Sequence, residues 1–68
     1  MANINVKVKL EFITECDAQH GAMYFDDRGY SVKLMGKALV VDKPDKADLA
    51  LVMATYMAFM VELNDGDL

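Results

Sequence analysis

Cys16 and His20 are the single cysteine and single histidine of the 68-residue chain, four positions apart with Asp17 beside the thiol. A thiol and an imidazole at that spacing could hold a metal or form a nucleophile with its base. A structural zinc site takes four ligands, usually as two close pairs. This chain has one pair, so a two-fold dimer would have to supply the second. Nucleophilic catalysis needs the imidazole to activate the thiol and a third group to orient the imidazole; Asp26 is the one residue nearby in sequence with a plausible geometry, and spacing alone does not identify it. The plainer reading is a small apolar cysteine in a reducing compartment and a solvated histidine in a loop bounded by Gly21. A Cys/His metal-binding module is therefore an alternative, and the expectation is no metal, no cofactor and no catalytic residue.

The other chemical signals are weaker. Asp26-Asp27 and Asp65/Asp67 are paired carboxylates, but one pair falls in a predicted hairpin turn and the other in a tail, where acids are usually solvated. The glycines at 21, 29, 36 and 66 are isolated, and none opens a helix after a strand as a phosphate-binding loop requires. Eleven acidic against seven basic residues, a net charge of -4, disfavours direct nucleic-acid binding, which needs clustered Lys and Arg. Lys7, Lys9 and Lys33, with Tyr24 or Tyr30, could form at most a small basic patch on a wet sheet face. Asp26, Asp27, Glu62, Asp65 and Asp67 are the candidate acidic docking patch for a basic partner, which need only match a local potential.

The elements that would carry these residues follow from periodicity. Ile4, Val6, Val8, Leu10 and Phe12 alternate with Asn5, Lys7, Lys9 and Glu11, the period-two pattern of a strand with one face buried, and a strand is expected over about 4–14. Residues 16–21 read as a loop. Residues 22–26 and 30–35 read as strands of a hairpin around Asp27-Arg28-Gly29, with Gly29 left-handed. Gly36-Lys37 reads as a second tight turn leading to a fourth strand over 38–41, with a bulge in one long strand as the alternative. Pro44 breaks the sheet, Asp45 is a good N-cap and Asp48 adds charge that a helix N-terminus favours. A helix is expected over about 46–63, stopped by Asn64 and Gly66, with an acidic tail over 64–68. The expected fold is one α+β domain, an antiparallel meander of three or four strands followed by one C-terminal helix packed on the sheet.

Residues 49–61 carry no charge. On a helical wheel at about 100° per residue, Leu49, Val52, Met53, Tyr56, Phe59, Met60 and Leu63 share one arc and make a core face. Ala50, Ala54, Met57, Ala58 and Val61 fall on the opposite arc, with Leu51 at its margin. Only one face of a surface helix should be apolar, so the second face, lined by alanines at four-residue spacing, is the expected interface. A membrane span needs about 20 apolar residues, more than this run provides between Asp48 and Glu62, and the N-terminus has no secretory h-region. A cytoplasmic protein, with a host cytoplasm as one setting, is expected. Residues of hydrophobic type make up 54% of the chain, more than a domain this small can bury alone.

These features converge on a small acidic non-enzymatic protein-binding module, a homodimer through the alanine face with a further protein partner. No membrane or direct nucleic-acid contact is expected. Accessory proteins of phages and mobile elements share this style, which suggests an inhibitor or modulator of a host defence or nucleic-acid-processing protein. A structural subunit of a larger oligomer is the other alternative.

Overall fold

The computed structural model describes residues 6–62. Their order is β1 (Lys7–Glu11), α1 (Glu15–Asp27), β2 (Val32–Met35), β3 (Ala38–Asp42), α2 (Lys46–Tyr56) and β4 (Phe59–Glu62). The strands form one antiparallel sheet in the order β2-β3-β1-β4. Each helix thus crosses between two strands that flank a third, the β-α-β-β-α-β arrangement of the ferredoxin-like topology. The fold is α+β with two helices, where one was expected.

In β1 the alternation works as anticipated. Val8 and Leu10 are buried, and they stand opposite Val41 and Leu39 of β3. Both helices pack on this face, where Ala18, Ala22 and Phe25 of α1 and Leu49 and Val52 of α2 join the strand residues in one core. Fully burying a Phe, Leu or Val side chain contributes about 1.5–3 kcal/mol, so this cluster supplies most of what holds the layers together. The Gly36-Lys37 turn also stands: Gly36 is left-handed at φ 61°, and β2 and β3 pair across it.

Residues 16–21 are not a loop and 22–26 are not a strand; both belong to α1. Thr14 caps the helix, its Oγ1 accepting the Asp17 N–H at 3.1 Å, which satisfies one of the orphan donors of a first turn. Ala18, Gly21, Ala22 and Phe25 are its buried residues, the i, i+3, i+4, i+7 stripe of an amphipathic helix. Gly21 is there for closeness: a Cβ on it would lie 2.7 Å from the Phe12 ring. Gly29 does take a positive φ, 91°, but as the stop of α1. The Tyr30 N–H reaches the Phe25 carbonyl and the Gly29 N–H that of Asp26, the paired bonds of a Schellman cap.

The second helix is shorter than expected. Asp45 caps it, accepting the Ala47 N–H at 3.0 Å, but it ends at Tyr56, where Met57 turns left-handed (φ 56°) and the Ala58 N–H closes on the Met53 carbonyl. Phe59–Glu62 then pairs with β1. An edge position beside β1 outweighs helical continuation for a Phe-Met-Val sequence, whose bulky side chains suit a pleated surface. The expected stop at Asn64 and Gly66 and the tail over 64–68 lie outside the described residues. No described helix is long and apolar enough to cross a membrane.

Candidate interaction surface

Strand register sorts the sheet residues by face. On the open side, away from the helices, Lys33, Val40, Lys9 and Val61 form one row across the four strands, and Met35, Ala38, Glu11 and Phe59 form the next. On the helix side the matching row is Leu34, Leu39, Leu10 and Met60. Val40 faces away from the helices yet is only 5% exposed. Its cross-strand neighbours are lysines, whose long stems can cover apolar surface while the ammonium stays in water. A cavity of about 500 Å³ opens beside it, lined by Lys7, Lys33 and Asp42 among others. The three lysines therefore share one face as expected, but Tyr24 and Tyr30 do not join them.

Those tyrosines sit on the helix side, at a polar junction. Asp48 accepts the Tyr24 hydroxyl at 3.0 Å, the Tyr30 hydroxyl at 2.9 Å and the Arg28 Nε–H at 3.1 Å. The Tyr30 oxygen in turn accepts the Asp45 N–H, and the Arg28 guanidinium lies over the Tyr24 ring. Desolvation pushes the Asp48 carboxyl upward, but the hydrogen bonds from Tyr30, Tyr24 and Arg28, with the Arg28 charge, hold it below its ordinary value. Burial and the Asp48 carboxylate raise the Tyr24 phenol, and burial chiefly raises that of Tyr30. Both tyrosines therefore remain neutral donors. The junction ties the end of α1 to the start of α2, and its carboxylate is fully engaged.

Cys16 and His20 lie one turn apart on exposed positions of α1. No group of three or more potential metal ligands occurs among the described residues. Asp26 stands six residues beyond His20 on the same helix, about 9 Å of rise, too far along to orient the imidazole. His20 has the Tyr56 ring as a neighbour instead. Of the acidic patch, Asp26 and Asp27 are exposed at the end of α1 while Glu62 closes β4 opposite Val8. Asp65 and Asp67 lie outside the described residues.

Ile13, Met23, Leu34 and Met35 are exposed apolar side chains on the first two thirds of the chain, and the largest group of them comes from the C-terminal third. Met57 is 71% exposed, Phe59 62%, Leu51 52%, Met60 43% and Val61 38%. The outer side of α2 carries Ala47, Ala50, Leu51, Ala54 and Thr55, all exposed and none charged. A surface helix normally carries polar residues opposite its buried face; here that side is largely alanine and leucine.

The expected interface needs correction in its geometry. Ala50 and Ala54 do lie on the outer face of α2, but Met57 is its left-handed cap, Ala58 is buried in the core, and Val61 is on the open face of β4. Because the helix stops at Tyr56, the five residues do not form one helical stripe. Phe59 and Met60, assigned to the core from the wheel, are exposed on opposite faces of an edge strand. The signal that could have moved them is the bulky, uncharged Phe59-Met60-Val61 run after the left-handed break, which in an all-apolar sequence has no visible alternation.

No protein-family model matches the chain, and comparison with curated proteins and with solved structures finds no match.

Proposed function

We propose that this protein is a non-enzymatic protein-binding module that works as a homodimer, with the outer face of α2 and the adjoining strand β4 as its working surface. The observation that carries this reading is the exposure of Leu51, Met57, Phe59, Met60 and Val61 within eleven residues of chain. Exposed apolar side chains gathered in one short stretch of chain support an interaction site there. Methionines suit it, since flexible thioethers repack against different partners. By analogy with small accessory proteins of phages and mobile elements, the further partner would be a host protein whose surface the dimer occupies, with Asp26 and Asp27 available to a basic patch.

Leu51→Glu tests the reading, because it places a charge on an exposed helix position with no core contact to lose. Sedimentation velocity from low to high micromolar concentration should show a self-associating native chain and a monomeric, folded variant. A native chain monomeric throughout would contradict the homodimer. The half-exposed Leu34 and Met35 on the opposite edge strand favour a second reading, a subunit of a larger oligomer. It predicts a stoichiometry above two that Leu34→Lys reduces to two.

A further inference from the structure

Among the described residues β4 is an edge strand, paired with β1 on one side. Natural edges are guarded against pairing by Lys, Pro, bulges or covering segments. The other edge, β2, has Lys33 in its middle, whereas the middle residues of β4 are Met60 and Val61 and its first is Phe59. Resting on the self-association proposed above, we infer that the occupant of this edge is β4 of a second copy, joined antiparallel about a two-fold axis at Met60 so that the sheet continues through eight strands.

Register selects the join. Residues opposite each other across a sheet share a face, so Met60 can meet Met60 of the second copy, with Phe59 opposite Val61 on the open side. The helix-side row Leu34, Leu39, Leu10, Met60 then runs on unbroken into the same row in reverse order, apolar throughout. The open-side row that contains Lys9 continues into the second copy's row that contains Glu11. Moving the axis to Val61 would bring the two Lys9 rows into line, setting like charges in one row of the open face.

A lone added peptide strand would satisfy the edge of β4 but leave α2 bare. A second copy does both, because a two-fold axis normal to a continuous sheet puts both helix layers on the same side. The first helix lies against β2 and β3, which leaves α2 the half of the layer nearer the join. Its outer face, with Ala50, Leu51 and Ala54, is then available to α2 of the second copy. Small residues there permit close approach. A four-residue strand alone falls short of the roughly 1,200 Å² of a stable standard interface, and the helix pair supplies the remainder.

Single-cysteine variants in a Cys16→Ser background test the join. Directly opposed Cα atoms in an antiparallel pair are about 4.5–5.5 Å apart, inside the range of about 4.4–6.8 Å that a disulfide spans. Met60→Cys should therefore give a covalent dimer on mild oxidation, and Val61→Cys, displaced by two positions from its own copy, should not. Val61→Lys, which copies the guard on β2, should weaken association by about 100-fold while far-UV circular dichroism stays unchanged. A dimer by light scattering that cross-links at position 61, or not at 60, would overturn the β4 join and leave self-association standing. A chain monomeric at every concentration would overturn both.

Discussion

The Asp48 junction and the β4 corner sit at the two ends of α2 and are built in opposite ways. At the junction one carboxylate takes three donors, and a hydroxyl oxygen takes a backbone N–H. Among the described residues no buried side-chain nitrogen or oxygen lacks a partner. At the corner, a left-handed methionine, the first three residues of β4, an edge strand among the described residues, and the outer face of α2 present apolar groups to solvent. One end of α2 thus has its polar groups satisfied within the chain, and the other leaves apolar side chains exposed. Stability and association should therefore separate by mutation, with junction residues controlling the first and corner residues the second.

The largest effect is expected from Phe59→Lys. It should weaken self-association by about 100-fold or more, read by light scattering, and shift folding stability by no more than about 0.5 kcal/mol, as for other surface changes. A large loss of stability would mean that Phe59 belongs to the fold, and the two ends of α2 would then no longer divide stability from association.

Asp48→Asn should do the reverse. Exchanging the carboxylate for an amide weakens its charge-assisted hydrogen bonds and costs about 1–3 kcal/mol, measured by urea unfolding in the Phe59→Lys background so that association does not intervene. The same group gives a pH signature. A carboxyl depressed in the folded state contributes stability that is full above its unfolded pKa, near 3.9, and is lost as pH falls through the lower folded value. Acid unfolding of the Asp48→Asn variant should therefore be flatter below about pH 4; an unchanged acid limb would show that other carboxylates govern it.

Ala54→Glu, on the outer face of α2, should reduce association by about tenfold and leave the sheet-facing core intact. Unfolding of the isolated chain would place Ala54 in the core. The smallest effect is at Met57. A non-glycine residue in the left-handed region costs about 1–2 kcal/mol, so Met57→Gly should recover part of this, about 0.5 kcal/mol after the extra backbone entropy of glycine. It should also weaken association by removing an exposed thioether. A variant that gains stability while losing association would tie the strain at the cap to the interface; one that changes neither would separate them.

Much of the sheet is legible in the sequence, because alternation at Val8 and Leu10 and a glycine at Gly36 speak directly in terms of pleat and turn. The Asp45 cap is equally direct. The first helix is hidden by Gly21 and Gly29, which look like loop punctuation. In the fold, Gly21 makes room for the Phe12 ring and Gly29 ends the helix. The stripe at Ala18, Gly21, Ala22 and Phe25 is present in the sequence but weak, since two alanines and a glycine contribute little hydrophobic contrast. The candidate surface is legible in composition and not in geometry. An uncharged run announces surplus apolar area, but the break at Met57 arises from pairing of β4 with β1, a long-range contact that local pattern does not encode. At the Asp48 junction the sequence offers only a first-turn charge, because its partners Tyr24, Arg28 and Tyr30 are 18 to 24 positions away and meet it only through the crossover topology.

Dimerisation through the β4 corner stands or falls on absolute mass by light scattering after size exclusion, run from high to low micromolar concentration on the native chain and on Val61→Lys. A native mass of twice the 7.6 kDa chain, falling to the monomer in the variant, is the predicted result. A folded native chain at 7.6 kDa across the whole series would contradict it.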